Sequence, residues 1–247
     1  MLAEPKVSII TITYNAEDFL ERTIKSVLEQ SYSNIEYVII DGKSSDGTMR
    51  IVEQYRSQID VLVSEPDKGL YDAMNKAQDH SSGDYIVYLN AGDILKDANT
   101  LEQTMAGSNK ADLVYGLAVK IDEEGNEFPW HKRTPEPSKL TAKSFINGMV
   151  ICHQCMIVKK SCAVKYDLAI GIAADIDWSI RTMKNVKTKH FYNDTFCLFL
   201  KGGVSDEKRW EAIKERFRIS IKHFGWTATL FQQFGIIFNI IKRGKLD

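Results

Sequence analysis

The chain has 247 residues, of which 44% are hydrophobic and 26% are charged, as in an ordinary globular protein. Lys and Arg total 32 against 33 Asp and Glu, so the basic excess typical of a nucleic-acid-binding protein is missing. Four unevenly spaced cysteines and an N-terminus without a charged, apolar leader predict a cytoplasmic protein with neither a disulfide framework nor a signal peptide. No apolar run reaches the roughly 18 residues that a transmembrane helix needs.

Strands and helices alternate in the first half of the chain. Apolar, β-branched runs predict strands over residues 6–13, 35–40, 61–63 and 85–89. Apolar residues at helical spacing predict helices over residues 16–30, 48–58 and 70–80. This alternation predicts a parallel sheet whose strands are joined by right-handed crossovers.

The pattern becomes mixed after about residue 90. Strands are predicted over residues 112–121, 128–130 and 195–200, with a turn over 122–127 before the second of them. Helices are predicted over residues 175–184 and 206–224, and an apolar segment with a basic end closes the chain over residues 226–245. Because no flexible linker separates the halves, we expect one nucleotide-type α/β half fused directly to a mixed half.

Polar residues follow three of the predicted parallel strands. Thr13, Tyr14 and Asn15 follow the first strand, Asp41 follows the second and Asp93 follows the fourth. The carboxyl ends of parallel strands lie along one edge of the sheet, so these groups should converge there. A single Asp after a strand more often caps the next helix, but three polar strand ends on one edge favour a functional site.

Four stretches within residues 6–95 resemble, in order and spacing, the nucleotide-sugar-binding half of family-2 glycosyltransferases. They are "SIITITYNAEDFLERTIKSVLEQSY", "IIDGKSSDGT", "SEPDKGLYDAMNKA" and "GDYIVYLNAGD". The stretches "GMVICHQCMIV", "AADIDWSIR" and "KGGVSDEKR" extend the resemblance less closely to about residue 209. The resemblance implies an α/β GT-A fold, Rossmann-like, with a central and mainly parallel sheet and C-terminal helices.

The resemblance also implies an activity. It points to an inverting, metal-dependent glycosyltransferase that moves one sugar from a nucleotide sugar, with a UDP-sugar as the expected donor, to a polyprenyl-diphosphate-linked acceptor in bacterial surface polysaccharide synthesis. Residues 1–95 would then be the nucleotide-sugar-binding half, 96–205 the acceptor-binding and catalytic half, and 206–247 a helical, membrane-associating segment. The protein would lie in the cytoplasm, peripherally on the inner face of the plasma membrane.

By the same resemblance, the nucleotide sugar would contact Thr13, Tyr14, Asn15, Asp41, Asp67, Lys68, Asn90 and Asp93. Asp41 would read the base edge, while Asp93 would bind Mg or Mn between the two phosphates, since hard oxygen ligands suit these cations. Relatives often carry more acids in this loop, and the chain has Asn90 and Gly92 in those places, so we expect modest metal affinity. For Lys68, an ordinary surface charge is an equally good interpretation.

The resemblance assigns the catalytic base to Asp175 in "AADIDW", which would take a proton from the acceptor hydroxyl. Asp177 points about 200° away on the same helix, so only one of the two should face the site, and stabilisation of the helix dipole explains Asp177. The acid that commonly precedes the base in relatives is replaced by Ala174.

His153 and Gln154 would lie beside the acceptor or the diphosphate by the same resemblance, although an isolated His is as often structural. Cys152 and Cys155 have the spacing of half a zinc site, but no second pair is present, so buried small side chains are the better interpretation. Residues 201–209, with two glycines, are either a mobile loop over the donor or an ordinary turn.

An apolar stripe with a basic end marks the C-terminal segment: Trp226, Leu230, Phe231, Phe234, Ile237, Phe238 and Ile241, then Lys242, Arg243 and Lys245. Such a helix suits an anionic membrane surface, and packing on its own domain or on a second subunit are the alternatives.

Other functions remain open from the sequence. Because Asn90, Gly92 and Ala174 stand where relatives commonly carry acidic residues, a non-catalytic nucleotide-sugar-binding scaffold is an alternative. A nucleotidyltransferase is a second enzymatic alternative. A dinucleotide oxidoreductase is excluded, because no Gly-x-Gly-x-x-Gly follows the first strand. Polymerising relatives carry a Gln-x-x-Arg-Trp element and transmembrane helices, so we expect a single sugar addition here.

Overall fold

A computed structural model of the protein describes residues 4–129, 134–202 and 209–243, with backbone alone at residues 129, 209 and 232–243. The strands are β1 (Val7–Thr13), β2 (Ile35–Asp41), β3 (Val61–Ser64), β4 (Tyr85–Tyr88), β5 (Ile94–Leu95), β6 (Leu113–Ile121), β7 (Glu127–Pro129), β8 (Met156–Lys159) and β9 (Lys189–Leu200). The helices are α1 (Leu20–Leu28), α2 (Thr48–Gln54), α3 (Leu70–His80), α4 (Thr100–Met105), α5 (Ala174–Met183) and α6 (Arg209–Arg243). Short 3-10 helices cover Arg56–Gln58, Ala142–Asn147 and His153–Cys155.

The first half of the chain forms the predicted parallel sheet. Strands lie in the order β3-β2-β1-β4, and every neighbouring pair is parallel. Helix α3 has the predicted bounds. Helix α1 is shorter than predicted, because the carbonyl of Ala16 accepts the N–H groups of Phe19 and Leu20 in a turn before the helix begins. The apolar runs of β1, β2 and β4 are buried on both faces, which explains why they read as continuous rather than alternating.

The second half extends the same sheet with mixed strand directions. Strand β8 pairs antiparallel with β4 and β6, β6 pairs parallel with β9, and β5 pairs antiparallel with β9. The strand prediction for residues 112–121 is confirmed by β6. Strand β9 begins at Lys189 rather than residue 195, because its first half places two aromatic residues among four polar ones and is partly exposed, so it shows neither a continuous nor an alternating apolar pattern.

Four aromatic rings connect the two halves beneath the candidate site. Tyr71 of α3 stacks on Tyr166 with ring centroids 5.0 Å apart, and Tyr166 stacks on Trp178 of α5 at 5.3 Å. The ring of Tyr88, on β4, meets both Tyr166 and Trp178 edge-on. The Trp178 Nε1–H donates to the carbonyl of Val164 at 2.7 Å, so the buried indole nitrogen is satisfied. Helix α5 is therefore fixed relative to α3 and β4.

A buried carboxylate aligns the amino ends of the parallel strands. Glu36, at the start of β2, accepts the Ser8 hydroxyl of β1 at 2.5 Å and the Ser82 N–H at 2.6 Å. The Ser82 hydroxyl and the Lys6 ammonium also donate to it. Burial alone would raise the pKa of Glu36, but these four donors lower it to about 2. Ser82 lies just before β4, so one side chain holds β1, β2 and β4 together.

We predict that Glu36→Gln lowers the free energy of unfolding by about 2–3 kcal/mol at neutral pH, because about two pKa units of stabilisation are lost. The folded-state pKa is depressed, so this stabilisation is present above the ordinary value of 4.5 and disappears as the pH falls toward about 2. Urea unfolding of both proteins across this range is the measurement. Glu21→Gln, which breaks an exposed pair with Lys25, is the control and should change little. A Glu36→Gln difference that stayed constant with pH would contradict the prediction.

Candidate active site

The loops after β1 and β2 are bound to each other at the carboxyl edge of the sheet. Thr13 and Asp41 are partners in the register of β1 and β2, and the Gly42 N–H donates to the Thr13 carbonyl at 2.9 Å. Asn15, whose φ is +46°, donates its backbone N–H to the Ser44 hydroxyl at 2.9 Å. Its side-chain Oδ1 accepts the backbone N–H of the residue after Ser44, also at 2.9 Å. The predicted nucleotide-binding residues of these two loops therefore form one unit.

Asp41 lies at the centre of this unit and is completely buried. Its carboxylate accepts the Ser44 hydroxyl at 2.5 Å and the Ser64 hydroxyl at 2.6 Å, and it also accepts the Ser44 N–H. These bonds fasten the loop after β2 to the end of β3. In this conformation the carboxylate presents no surface, so direct contact with a base edge requires Ser44 or Ser64 to release it. Its base-reading role stays a prediction.

Gly42 brings two other predicted residues together. A Cβ atom at Gly42 would lie 2.5 Å from Oδ2 of Asp67 and 3.3 Å from Cδ2 of Tyr14, so any side chain there would displace one of them. The ring of Tyr14 is 64% exposed and open to stacking. Asp67 accepts the N–H of Gly69 at 2.7 Å, and Lys68 between them is exposed. Tyr14 and Asp67 thus flank one point at the sheet edge.

Asp93 is held by residues from distant parts of the chain. Its Oδ1 accepts the Leu200 N–H at 3.1 Å, and its Oδ2 accepts the Gln154 Nε2–H at 3.0 Å. Burial raises the pKa of Asp93 to about 6, although these hydrogen bonds and the nearby charge of Arg22 act in the opposite direction. Gly92 before it has a φ of +100°, which glycine adopts without strain. Gln154 therefore orients the Asp93 carboxylate.

Two further polar atoms in this region lack hydrogen-bond partners. Within the described part of the chain, neither Asn90 Oδ1 nor His153 Nε2 has a partner, and both atoms are buried. Burial lowers the pKa of His153 to about 4, so the imidazole is neutral at physiological pH. The unpaired amide oxygen of Asn90 lies in the same short loop as Asp93, whose N–H donates to the Asn90 carbonyl at 2.9 Å.

These groups fit a divalent cation only if the bound ligand supplies most of the oxygens. Across the described ranges, no group of three or more His, Cys, Asp or Glu residues is arranged to hold a metal ion. Asp93 and the orphaned Oδ1 of Asn90 are hard oxygen donors of the kind that Mg and Mn prefer. Because Mg and Mn commonly complete their coordination with phosphate oxygens and water, a donor set of this size is sufficient beside a diphosphate.

The two carboxylates of α5 have different surroundings, as the helical spacing predicts. Asp175 lies in the first turn, where its Oδ1 accepts the N–H of Ile176 at 2.8 Å. It also lies beside Tyr71, whose pKa is raised mainly by burial and further by the charges of Asp175 and Glu215. Asp177 is fully buried and faces the other way, toward α6.

Asp177 serves as an anchor for α6, and this corrects the expectation that it mainly stabilises the helix dipole. Its carboxylate accepts the Arg181 Nε–H at 2.5 Å, the His223 Nε2–H at 2.7 Å and the Lys222 ammonium at 3.3 Å. Lys184 Nζ lies 3.4 Å from Nδ1 of His223, an arrangement that suits donation by Nε2 to Asp177. Burial opposes ionisation of Asp177, but the His223 and Arg181 hydrogen bonds outweigh it and leave its pKa below the usual value.

A second carboxylate near Asp175 was not found from the sequence. Glu215 of α6 accepts the Ala173 N–H at 2.9 Å and so caps the start of α5, forty-two residues earlier in the chain. Asn75 of α3 makes a second contact that is remote in sequence. Its side chain donates to the Tyr166 carbonyl at 3.0 Å and accepts the Tyr166 N–H at 2.7 Å, holding the segment before α5. No local pattern identifies either contact, because both partners are remote in sequence.

Two predicted segments lie partly outside the described residues. Of the loop over 201–209, residues 203–208 are not described, and the same holds for the side chains of the C-terminal stripe from residue 232 onward. The part of α6 that is described breaks at Gly225, where φ is +80°. No helix among the described residues combines the length and apolarity that crossing a bilayer requires.

A parallel β3-β2-β1-β4 sheet, with polar loops at its carboxyl edge and an acidic loop after β4, defines a nucleotide-binding α/β protein. Sequence comparison makes the assignment specific. The family model described as "Glycosyl transferase family 2" matches residues 8–166, and the chain belongs to this family.

Relatives and solved structures agree with this assignment. An uncharacterized glycosyltransferase of Mycobacterium tuberculosis is 32% identical over 189 residues, covering 73% of this chain and 70% of that protein. The putative teichuronic acid biosynthesis glycosyltransferase TuaG of Bacillus subtilis is 28% identical over 218 residues and 86% of each chain. The crystal structure of S. aureus TarS 1-349 in complex with UDP-GlcNAc superposes with a TM-score of 0.68 at 18% identity, over 89% of this chain and 67% of that one. The predicted α/β GT-A fold and the predicted enzyme class, a glycosyltransferase, are both confirmed.

We predict that Asp177→Asn destabilises the protein by about 2–3 kcal/mol at neutral pH, because it removes a buried charge that receives three donors. The pKa of Asp177 is depressed, so the loss is complete above its ordinary value of 3.8 and shrinks as the pH falls below it. Urea unfolding followed by circular dichroism is the measurement. Asp175→Asn, on the same helix, is the matched control and should cost much less. Equal losses in the two variants would refute the anchoring role of Asp177.

Proposed function

We propose that this enzyme transfers one sugar, with inversion, from a UDP-sugar to a polyprenyl-diphosphate-linked acceptor during synthesis of a bacterial surface polysaccharide. The observation that carries the proposal is the arrangement at the carboxyl edge of the sheet. Tyr14 and Asp67 meet at Gly42, and the buried carboxylate of Asp93 lies after the neighbouring strand β4. A base, a ribose and a diphosphate can be bound in that order along such an edge.

The nucleoside would bind over the loops after β1 and β2. Tyr14 offers an exposed ring for stacking, Thr13 and Asn15 shape the floor, and Asp41 would read the base edge. Asp67 and Lys68 would contact the ribose and phosphates. The fold neighbours support a nucleotide sugar in this place, since TarS was crystallised with UDP-GlcNAc and a Pyrobaculum calidifontis mannosyltransferase with GDP-Man and Mn2+. The second structure has a TM-score of 0.64 at 19% identity, over 90% of this chain and 65% of that one.

The diphosphate would bind near Asp93. With Mg or Mn present, Asp93 and the amide oxygen of Asn90 would hold the cation, and the cation would offset the negative charge that grows on the leaving diphosphate. Gln154 and the Leu200 N–H orient the Asp93 carboxylate for this task. His153, which is neutral and next to Gln154 in sequence, would face the acceptor or the diphosphate without adding charge.

The proton would be removed by Asp175. As the acceptor hydroxyl oxygen attacks the anomeric carbon, the bond from that carbon to the diphosphate breaks and the hydroxyl proton passes to the Asp175 carboxylate. A single displacement of this kind inverts the anomeric configuration. The aromatic stack through Tyr71 and Trp178, together with the Glu215 cap, fixes the first turn of α5 and with it Asp175.

The acceptor would reach the enzyme at a membrane surface through α6. Trp210, Trp226 and Phe231 on this helix are 77%, 61% and 79% exposed, an unusual amount of aromatic surface for one helix. Two exposed cations, Lys214 and Arg218, lie between these rings along α6. Aromatic rings with cations beside them are the combination that binds an anionic lipid surface.

A non-catalytic nucleotide-sugar-binding scaffold is the second candidate. The observation in its favour is that both oxygens of Asp93 already accept hydrogen bonds while Asn90 and Gly92 replace acidic residues. A scaffold would bind a donor without breaking it, which separates the two candidates experimentally.

We predict that the purified protein with Mn2+ releases a nucleoside diphosphate from one donor in a panel of UDP- and GDP-sugars, supplied with lipid-linked acceptor. Asp175→Asn should lower this release roughly 100-fold or more while leaving donor binding unchanged, because only proton removal is lost. Asp93→Asn should weaken the binding itself. Asp194→Asn, an exposed carboxylate paired with Lys96, is the control and should behave as the wild type.

The products and the calorimetry decide between the candidates. Release of inorganic diphosphate would identify a nucleotidyltransferase. Donor binding by calorimetry without any nucleoside diphosphate release, even with acceptor present, would identify a scaffold and refute the proposed catalysis.

We also predict that the protein sediments with vesicles of phosphatidylcholine and phosphatidylglycerol, and that high salt or omission of the anionic lipid releases it. Trp226→Ser or Phe231→Ser should weaken this binding roughly tenfold each, because an aromatic anchor is lost. Phe128→Ser, an exposed aromatic on β7, is the control. If light scattering showed a dimer for the wild type and a monomer for these two variants, while vesicle binding was unchanged, the exposed face of α6 would instead be a subunit interface.

A further inference from the structure

One buried hydroxyl holds the backbone that carries Asp93. The Thr23 side chain on α1 is completely buried, and its Oγ1 accepts the Gly92 N–H at 2.9 Å while donating to the Asp93 carbonyl at 2.8 Å. The two bonded atoms are the first and last polar backbone atoms of the Gly92-Asp93 pair. A single side chain therefore fixes the orientation of both residues.

Thr23 is the first of three polar side chains that form a row, two of them on α1 and the third, Gln30, just after its end. Ser26 accepts the Leu95 N–H at 3.3 Å. Gln30 accepts the Leu101 N–H at 3.0 Å and donates to the carbonyl of Asp97 at 2.8 Å. Thr23 and Ser26, three positions apart, share one face of α1, and with Gln30 their hydrogen bonds follow the chain from residue 92 to residue 101.

The loop over residues 90–93 needs the Thr23 hydroxyl because it makes few backbone hydrogen bonds of its own. Gly92 has no side chain and a φ of +100°. The loop's remaining backbone bonds are those of the Ala91 N–H to the Ile12 carbonyl at 3.2 Å and of the Asp93 N–H to the Asn90 carbonyl. Without the Thr23 hydroxyl, the Gly92 N–H and the Asp93 carbonyl would be buried and unpaired, and rotation of these peptides to find partners would turn the Asp93 side chain.

We propose that Thr23 is a positioning residue of the donor site, whose hydroxyl sets the direction in which the Asp93 carboxylate points. This inference rests on the proposed function, in which Asp93 holds the cation and the donor diphosphate. Thr23 acts from behind the loop and contacts no substrate. Gln154 and Leu200 hold the carboxylate oxygens, whereas Thr23 holds the main chain to which that carboxylate is attached.

The test compares Thr23→Val, which keeps the shape and removes the hydroxyl, with Thr23→Ser, which keeps the hydroxyl. Calorimetry measures binding of UDP, and separately of GDP, in the presence of Mn2+. We expect Thr23→Val to weaken binding roughly 10–100-fold, as losses of groups that orient metal ligands do, and Thr23→Ser to restore it. Gln30→Met is the matched control. It removes backbone hydrogen bonds from the same row at residues 97 and 101 and should lower thermal stability without changing nucleotide binding.

Each outcome has a definite meaning. Equal binding by wild type and Thr23→Val, or weakening by Gln30→Met as large as that by Thr23→Val, would overturn the positioning role and leave the proposed function intact. No binding of either nucleotide by the wild type would overturn the proposed donor site, and the positioning role with it. If Thr23→Val does not fold by circular dichroism, Thr23→Ala removes the same hydroxyl without added bulk and takes its place in the comparison.

Discussion

The carboxylate of Glu36 ties the amino ends of β1, β2 and β4 together, and the position of the site at the opposite edge depends on that alignment. With the starts of the strands fixed, parallel register carries the alignment to the far end, where Thr13 pairs with Asp41. The same register pairs Ile10 with Tyr88 and sets the point at which the acidic loop leaves β4. The relative positions of the loops at one edge of the sheet therefore depend on hydrogen bonds at the other edge.

Asp93 is the point at which the two halves of the chain meet. Its main chain is held by α1, and its carboxylate by Gln154 and by the end of β9. Burial of this carboxylate costs free energy, as its raised pKa indicates, and the donors around it recover only part of that cost. A buried anion that is incompletely compensated attracts a cation, which is the property that a diphosphate site needs.

Sequence patterns predicted the elements that bury continuous or periodic apolar faces. Strands β1, β2 and β4 and helix α3 were predicted correctly because their buried positions are occupied by continuous or periodic apolar residues. Strands β5 and β8 have two and four residues, too few to show a period, and their pairing with remote strands stabilises them. The first half of β9 was missed for the related reason that a partly exposed strand of mixed composition shows no regular apolar pattern.

The features of the candidate site likewise fall into those that local sequence predicts and those that depend on remote contacts. The strand-end residues and the separation of Asp175 from Asp177 followed from local geometry, because the register of a sheet and the pitch of a helix are general. The partners of these residues did not follow. Gln154 is 61 residues from Asp93 and Thr23 is 70, and no spacing rule connects side chains that only the fold brings together. Roles that depend on a bound donor or acceptor stay predictions.

The polar row of Thr23, Ser26 and Gln30 has an evolutionary consequence. Within this row, Thr23 supports the Gly92-Asp93 backbone from the side of α1, and neither of its two hydrogen bonds involves a side chain that would face the sugar. Substitutions on the open side of the site that keep Gln154 can therefore accumulate without disturbing the geometry of the carboxylate. With this arrangement, related enzymes can diversify in the sugars they transfer while the backbone that carries Asp93, the proposed diphosphate-binding residue, keeps its position.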